Sequence, residues 1–166
     1  MNTFVIEEFF VKDGNACNFY TVRLDDNETS ETDKFYDEFF HEDHEFFEDM
    51  KDIHSLIEEL AESGMSIIRR TRDEARVFAL PPEIVINECA INVFGNNFRL
   101  YYVELAADVV VLLGGGVAHQ GPKGKVPMQF HEAQRFAKKI IDSKNLFFEV
   151  SAGKIVPLDN EEIIIN

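Results

Sequence analysis

One stretch restricts the possible folds of this chain more than any other: Val109-Val110-Val111-Leu112-Leu113, five aliphatic residues in a row and three of them β-branched, followed by Gly114-Gly115-Gly116. A strand with one wet face alternates apolar and polar residues. An uninterrupted run therefore predicts a central strand covered on both faces. The run is far shorter than the roughly 20 apolar residues a membrane helix needs, so it reads as sheet interior and not as a span. A chain of 166 residues is long enough to bury such a strand in one domain, and its 45% hydrophobic and 12% aromatic content argues against disorder.

Period-two patterns precede this run. Cys89, Ile91 and Val93 share one face, Gly95-Asn96-Asn97 supplies residues that tolerate positive φ, and an alternating stretch resumes over 98–105. With the aliphatic run this predicts three consecutive antiparallel strands, a β-meander. Near the start, Phe4-Val5-Ile6 and Phe19-Tyr20-Thr21-Val22 flank Asp13-Gly14, the pattern of a β-hairpin. Two helices should follow. Ser30, with Asp33 three residues on, can cap the first. Phe35, Phe39, Phe46, Met50, Ile53, Ile57 and Leu60 form a stripe at helical period, broken around His41-Glu42-Asp43-His44-Glu45 and ended by Gly64. Phe130, Ala133, Phe136, Ala137 and Ile140 define a further amphipathic helix over 128–141, and 146–150 with Ile155-Val156 predicts one or two late strands. Pro81-Pro82 forbids a helix where it stands. The class is α+β, with neither an internal repeat nor a linker long enough to divide the chain.

Charge is distributed unevenly. The total is −15, and residues 1–64, with four basic and 19 acidic side chains, carry all of it, since 65–166 holds 12 of each. The first part should repel nucleic acid, while 69–144, with 11 basic against eight acidic residues, can still present a cationic patch. Two cysteines, Cys17 and Cys89, rule out a disulfide scaffold and a four-cysteine zinc site. Met1-Asn2-Thr3 leads straight into the alternating segment, which predicts no secretory leader and a reduced, cytoplasmic setting.

Several apparent motifs fail on chemistry. Gly124-Lys125 suggests a phosphate loop, but His119 stands where its first glycine belongs and Val126 where its Ser or Thr belongs, so no nucleotide cofactor is implied. His41 and His44, with Glu38, Glu45 and Glu48 nearby, could face a divalent metal. Solvated acidic surface is the better reading, because no third histidine is fixed beside them. Cys89 lies on an apolar alternation with no positive charge next to it, as a buried structural thiol would.

The basic residues are better candidates. Arg69, Arg70, Arg72 and Arg76 precede the meander, and Lys123 and Lys125 follow it. Folding can place both groups on one side of the sheet, where they would bind phosphodiester and stabilise charge at phosphorus. The plainer alternative is that Asp73 and Glu74 neutralise the arginines and solvent surrounds the lysines. Arg99 differs from all of these. It interrupts a strand between Phe98 and Leu100, where a charge needs a carboxylate or a ligand.

The helix-helix-glycine pattern over 35–64, the strand Asn97-Phe98-Arg99-Leu100-Tyr101-Tyr102, the run from Asp108 to the three glycines, and the helix sequence Glu132-Ala133-Gln134-Arg135-Phe136-Ala137 together resemble the RelE/HigB-like superfamily of toxins from type II toxin–antitoxin systems. The resemblance covers residues 30–142, with the hairpin and connector of 1–29 and the strands of 143–166 as additions. It implies a RelE/ParE-like antiparallel meander with two N-terminal helices packed on one face and a further helix after the central strand. The implied activity is ribosome-dependent, metal-free and cofactor-free cleavage of mRNA, inhibited by a cognate antitoxin. Arg99 matches the family's strand arginine, Lys123 and Lys125 stand where basic residues follow the central strand, and His119 is the nearest group able to exchange a proton near neutral pH. The 69–76 arginines would grip the RNA backbone. A second reading uses the same scaffold without catalysis, as an interaction module that binds a basic partner through the acidic helices of 31–62.

Overall fold

The computed structural model describes residues 3–9, 11, 16–68, 77–80, 83–86, 89–92, 98–117, 128–159 and 162–166, with backbone alone at 83–86, 89–92 and 128. In chain order the elements are β1 (Phe4–Glu8), β2 (Asn18–Leu24), α1 (Glu31–Phe39), α2 (Phe47–Ser63), β3 (Phe78–Leu80), β4 (Glu83–Ile86), β5 (Cys89–Asn92), β6 (Phe98–Ala106), β7 (Val109–Val117), α3 (Met128–Ser143), β8 (Phe148–Ser151), β9 (Lys154–Pro157) and β10 (Ile163–Ile165). Six strands form one mixed sheet in the order β10-β1-β2-β7-β6-β3, while β4-β5 and β8-β9 are separate two-stranded ribbons.

The aliphatic run is the middle of this sheet, and both its faces are covered. Val109, Val111 and Leu113 belong to a core shared with Ala133, Phe136 and Ile140 of α3, whereas Val110 and Leu112 belong to a second core shared with α1 and α2. On β6 the same alternation sends Tyr101 and Val103 towards α3, and Leu100 and Tyr102 towards the helix pair.

Local signals in the sequence set the helix ends. The Ser30 hydroxyl oxygen accepts the Asp33 amide at 3.0 Å and starts α1. Gly64, at φ +89°, closes α2 by donating its amide to the Leu60 carbonyl at 2.8 Å. Between the helices the chain breaks at 40–46, and Phe98 explains where the two halves settle. Phe35 and Phe46 stack on its ring at 5.1 and 5.6 Å, and Phe39 meets it edge-on at 4.8 Å. A buried polar link holds α1 to the sheet: the Thr21 and Thr32 hydroxyl oxygens are 2.6 Å apart, and Thr21 also donates to the Leu112 carbonyl at 3.2 Å.

Three expectations need correction. The sheet is not an antiparallel meander alone, because β2 runs parallel to β7 with Asn18 opposite Val109 and Thr21 opposite Leu112. The hairpin of β1 and β2 is present and lies within the central sheet. The segment with Cys89 is not the first meander strand. β5 pairs with β4 in its own ribbon, and β3 takes the edge of β6, Leu80 opposite Leu100, burying Leu80 and Val77. Only the hairpin of β6 and β7 survives from the expected three. The last strand, β10, closes the other edge by pairing Ile163, Ile164 and Ile165 with β1. The ribbon of β8 and β9 is anchored by the Ile155 amide donating to the Tyr20 hydroxyl at 3.1 Å and by the Asn18 side-chain amide donating to the Gly153 carbonyl at 2.5 Å.

Candidate functional site

The end of β7 carries the features that bear on chemistry. Its last residues include three glycines, each in a different surrounding. A β-carbon on Gly114, which has φ +85°, would meet Glu31 of α1 at 3.2 Å; one on Gly115 would stand 2.0 Å from the Arg99 carbonyl; one on Gly116 would meet the Gln129 side chain of α3 at 3.1 Å. The register of β6 and β7 slips here, Leu100 facing Gly115 but Tyr102 facing Leu112, so β7 holds an extra residue around Gly114. The strand end is therefore bare backbone with helices on either side.

Arg99 lies across from Gly116 in this hairpin. It is half-buried between Phe98 and Leu100, both fully buried, and its Nη1 donates to the Phe98 carbonyl at 2.8 Å. By alternation it faces the same side as Tyr101, whose ring meets Phe130 of α3 at 5.6 Å. Burial pushes the Tyr101 hydroxyl up from its ordinary value and the Arg99 charge draws it back down. Arg99 therefore puts a guanidinium, with its fork of N–H donors, on the α3 face of the sheet.

Acidic groups also stand at this strand end. Glu38 of α1, His44 and Glu45 of the α1–α2 break and Gln129 of α3, with Gly115, Gly116 and Val117, border an open cleft. His44 is held in place: its Nδ1 accepts the Phe46 amide at 3.1 Å and its ring meets Phe39 at 5.0 Å. His41 is bound to the Asp37 carbonyl through Nε2. Among the described residues no three His, Cys, Asp or Glu side chains are grouped to hold a metal. Cys17 is not a nucleophile either, since burial and then the Asp108 charge push its thiol up to about 12.

Of the residues expected to cleave or grip RNA, Arg99 is the one the structure describes. His119, Lys123, Lys125, Arg69, Arg70, Arg72 and Arg76 lie outside the described residues, as does the side chain of Cys89. Gln129 escaped sequence reasoning as a site feature; the three glycines drew notice as a phosphate-loop candidate that fails on spacing, and not as the close approach of β7 to β6 that Gly115 provides. Comparison with protein-family models, with curated proteins and with solved structures gives no match for this chain. Among the described residues no helix is long and apolar enough to cross a membrane. The molecule is an α+β protein with a mixed sheet covered by helices on both faces, and with a strand arginine at the end of its central hairpin.

Proposed function

We propose that the chain is a RelE/HigB-like toxin of a type II toxin–antitoxin system, an endoribonuclease that stops translation by cutting mRNA on the ribosome and is held inactive by a cognate antitoxin. The observation that carries this reading is the position of Arg99, opposite Gly116 at the end of the central strand. In sequence, His119, Lys123 and Lys125 stand between β7 and α3. In this reading the RelE-like core spans 30–142, with 1–29 and 143–166 built onto it.

The chemistry follows from charge. Attack of a ribose 2′-hydroxyl on the adjacent phosphorus forms a cyclic phosphate and releases the 5′-oxygen, and negative charge builds on the phosphate oxygens as it does so. Arg99, Lys123 and Lys125 stabilise that charge, His119 exchanges the proton, and Arg69, Arg70, Arg72 and Arg76 hold backbone phosphate. By strand alternation Arg99 faces the α3 side of the sheet with Tyr101, so RNA is expected to approach over α3. Induced expression in a bacterial host tests the reading. Growth and translation should stop with cut messages, and Arg99→Ala and Lys123→Ala/Lys125→Ala should restore growth while remaining folded; unimpeded growth with abundant wild-type protein would sink it.

One observation favours the second reading, an interaction module for a basic partner. Over 31–62 the chain carries 13 acidic against two basic residues, and its exposed Phe40 ring lies 5.6 Å from Phe47, over which Lys51 already places its ammonium at 5.1 Å. Normal growth together with tight binding of an arginine-rich peptide, lost in Phe40→Ala, would decide for it.

A further inference from the structure

Cations are treated differently in the two parts of this chain. Every described cation of residues 1–64 sits in an ion pair: Arg23 with Glu7 at 3.2 Å, Lys34 with Glu31 at 3.2 Å and Lys51 with Glu48 at 3.1 Å. On α3 the opposite holds. Ala133, Phe136, Ala137 and Ile140 pack into the core, and at 3.6 residues per turn Arg135, Lys138 and Lys139 fall within a sector of about 100° on the far side of the helix. Arg135 and Lys138 are exposed and Lys139 is half-buried. Glu132 stands three residues before Arg135, and Asp142 four after Lys138 and three after Lys139, spacings at which helical ion pairs form. Among the described residues, none of these three cationic side chains makes an ion pair or a hydrogen bond.

Charge and shape indicate what the face takes. Residues 128–144 hold four basic side chains against two acidic ones, a local sum of +2 in a chain of −15. Glu38 and Glu45 border α3 at Gln129. Arg135 lies six residues further along the helix, about 9 Å, which exceeds the screening length of about 8 Å in physiological salt. An anion over the middle of α3 therefore meets cations. A convex helix face with long side chains does not enclose a small ion. It suits a polymer of repeating charge, because each phosphate that meets a cation releases condensed counterions. Arg99 faces this side of the sheet, and α3 starts near it, with Phe130 touching Tyr101.

We propose that the outward face of α3 is a track for the backbone of single-stranded RNA, with Arg135, Lys138 and Lys139 holding its phosphates. The choice of RNA as ligand rests on the toxin reading; the track does not require cleavage. Fluorescence anisotropy of a labelled single-stranded RNA with the full chain, between about 50 and about 200 mM salt, tests it. The wild type should bind with an affinity that falls as salt rises. Arg135→Gln/Lys138→Gln/Lys139→Gln should weaken binding roughly tenfold or more at the low-salt end and lower the logarithmic salt slope by about 2, at roughly 0.7 per lost contact. Lys34→Gln, across the sheet, should change neither. Glutamine is as good a helix former as the residues replaced, so the triple variant should fold, and circular dichroism melting verifies that. RNA bound with this slope but left uncut on ribosomes would sink the nuclease reading and leave the track standing. A wild type that ignores the RNA, one that instead binds phosphatidylserine vesicles through these residues, or a folded triple variant with unchanged affinity and slope would overturn the proposal.

Discussion

Gly115 and Arg99 touch through their backbones: a β-carbon at position 115 would stand 2.0 Å from the Arg99 carbonyl oxygen and 2.9 Å from the Leu100 Cα. Neither atom can swing aside, as both belong to a strand whose neighbours Phe98 and Leu100 are fully buried. The glycine is thus what lets β6 and β7 close at the place where Arg99 is displayed.

Gly115→Ala should accordingly part the two strands and cost about 3 kcal/mol, the upper end of what overpacking does. Gly116→Ala, which meets only the movable Gln129 side chain, should cost clearly less. Urea unfolding of both variants checks this, and equal losses would contradict the account of the hairpin.

The Thr21–Thr32 contact ties α1 to the sheet inside a dry core, both residues being almost wholly buried. Thr21→Val leaves the Thr32 hydroxyl without that partner and should cost on the order of 1–3 kcal/mol. Thr21→Val/Thr32→Val should cost less than the sum of the single changes, since neither hydroxyl is then stranded. A double-mutant cycle by chemical denaturation measures the coupling, and strict additivity would mean that the bond contributes nothing.

Alkaline pH should weaken the fold through buried acids that stay neutral. The Cys17 thiol, ordinarily near 9, is pushed up to about 12, first by burial and then by Asp108, and burial, ahead of Glu58 and Asp33, also raises Tyr36. The unfolded chain gives up the thiol proton near 9 while the folded one keeps it. This contribution is intact below about pH 9 and is lost as pH climbs towards 12. Cys17→Ala removes the thiol and should fall less steeply in stability between about pH 8 and about pH 10.5. Unfolding midpoints across that range decide it, and parallel curves for parent and variant would contradict the assignment.

Much of this architecture was legible in the residues, and the failures have physical causes. The helix stripe from Phe35 to Leu60, its Ser30 cap and its Gly64 end are local signals, and the structure uses each of them. The aliphatic run announced a strand covered twice, and Val110 and Val111 face different cores. Pairing partners were another matter. Nothing in Phe78-Ala79-Leu80 distinguishes it from the alternation around Ile91 as the neighbour of β6, because strand pairing is decided by distant surfaces and the three-residue β3 has little pattern of its own. The parallel contact of β2 with β7 spans some 90 residues of chain and leaves no local trace. At the site, Arg99 was visible as a charge inside a strand, whereas Gln129 became relevant only once α3 was packed against Gly116.

The central claim is that the Arg99 guanidinium acts on RNA, and primer extension on a message translated by purified ribosomes tests it most directly. The wild-type protein should create discrete new ends within the reading frame. Arg99→Ala, with an unchanged unfolding midpoint, should slow their appearance by roughly 100-fold or more, as expected when a donor to a developing oxyanion is removed. Messages left intact by the wild type, or cut as fast by folded Arg99→Ala, would contradict it.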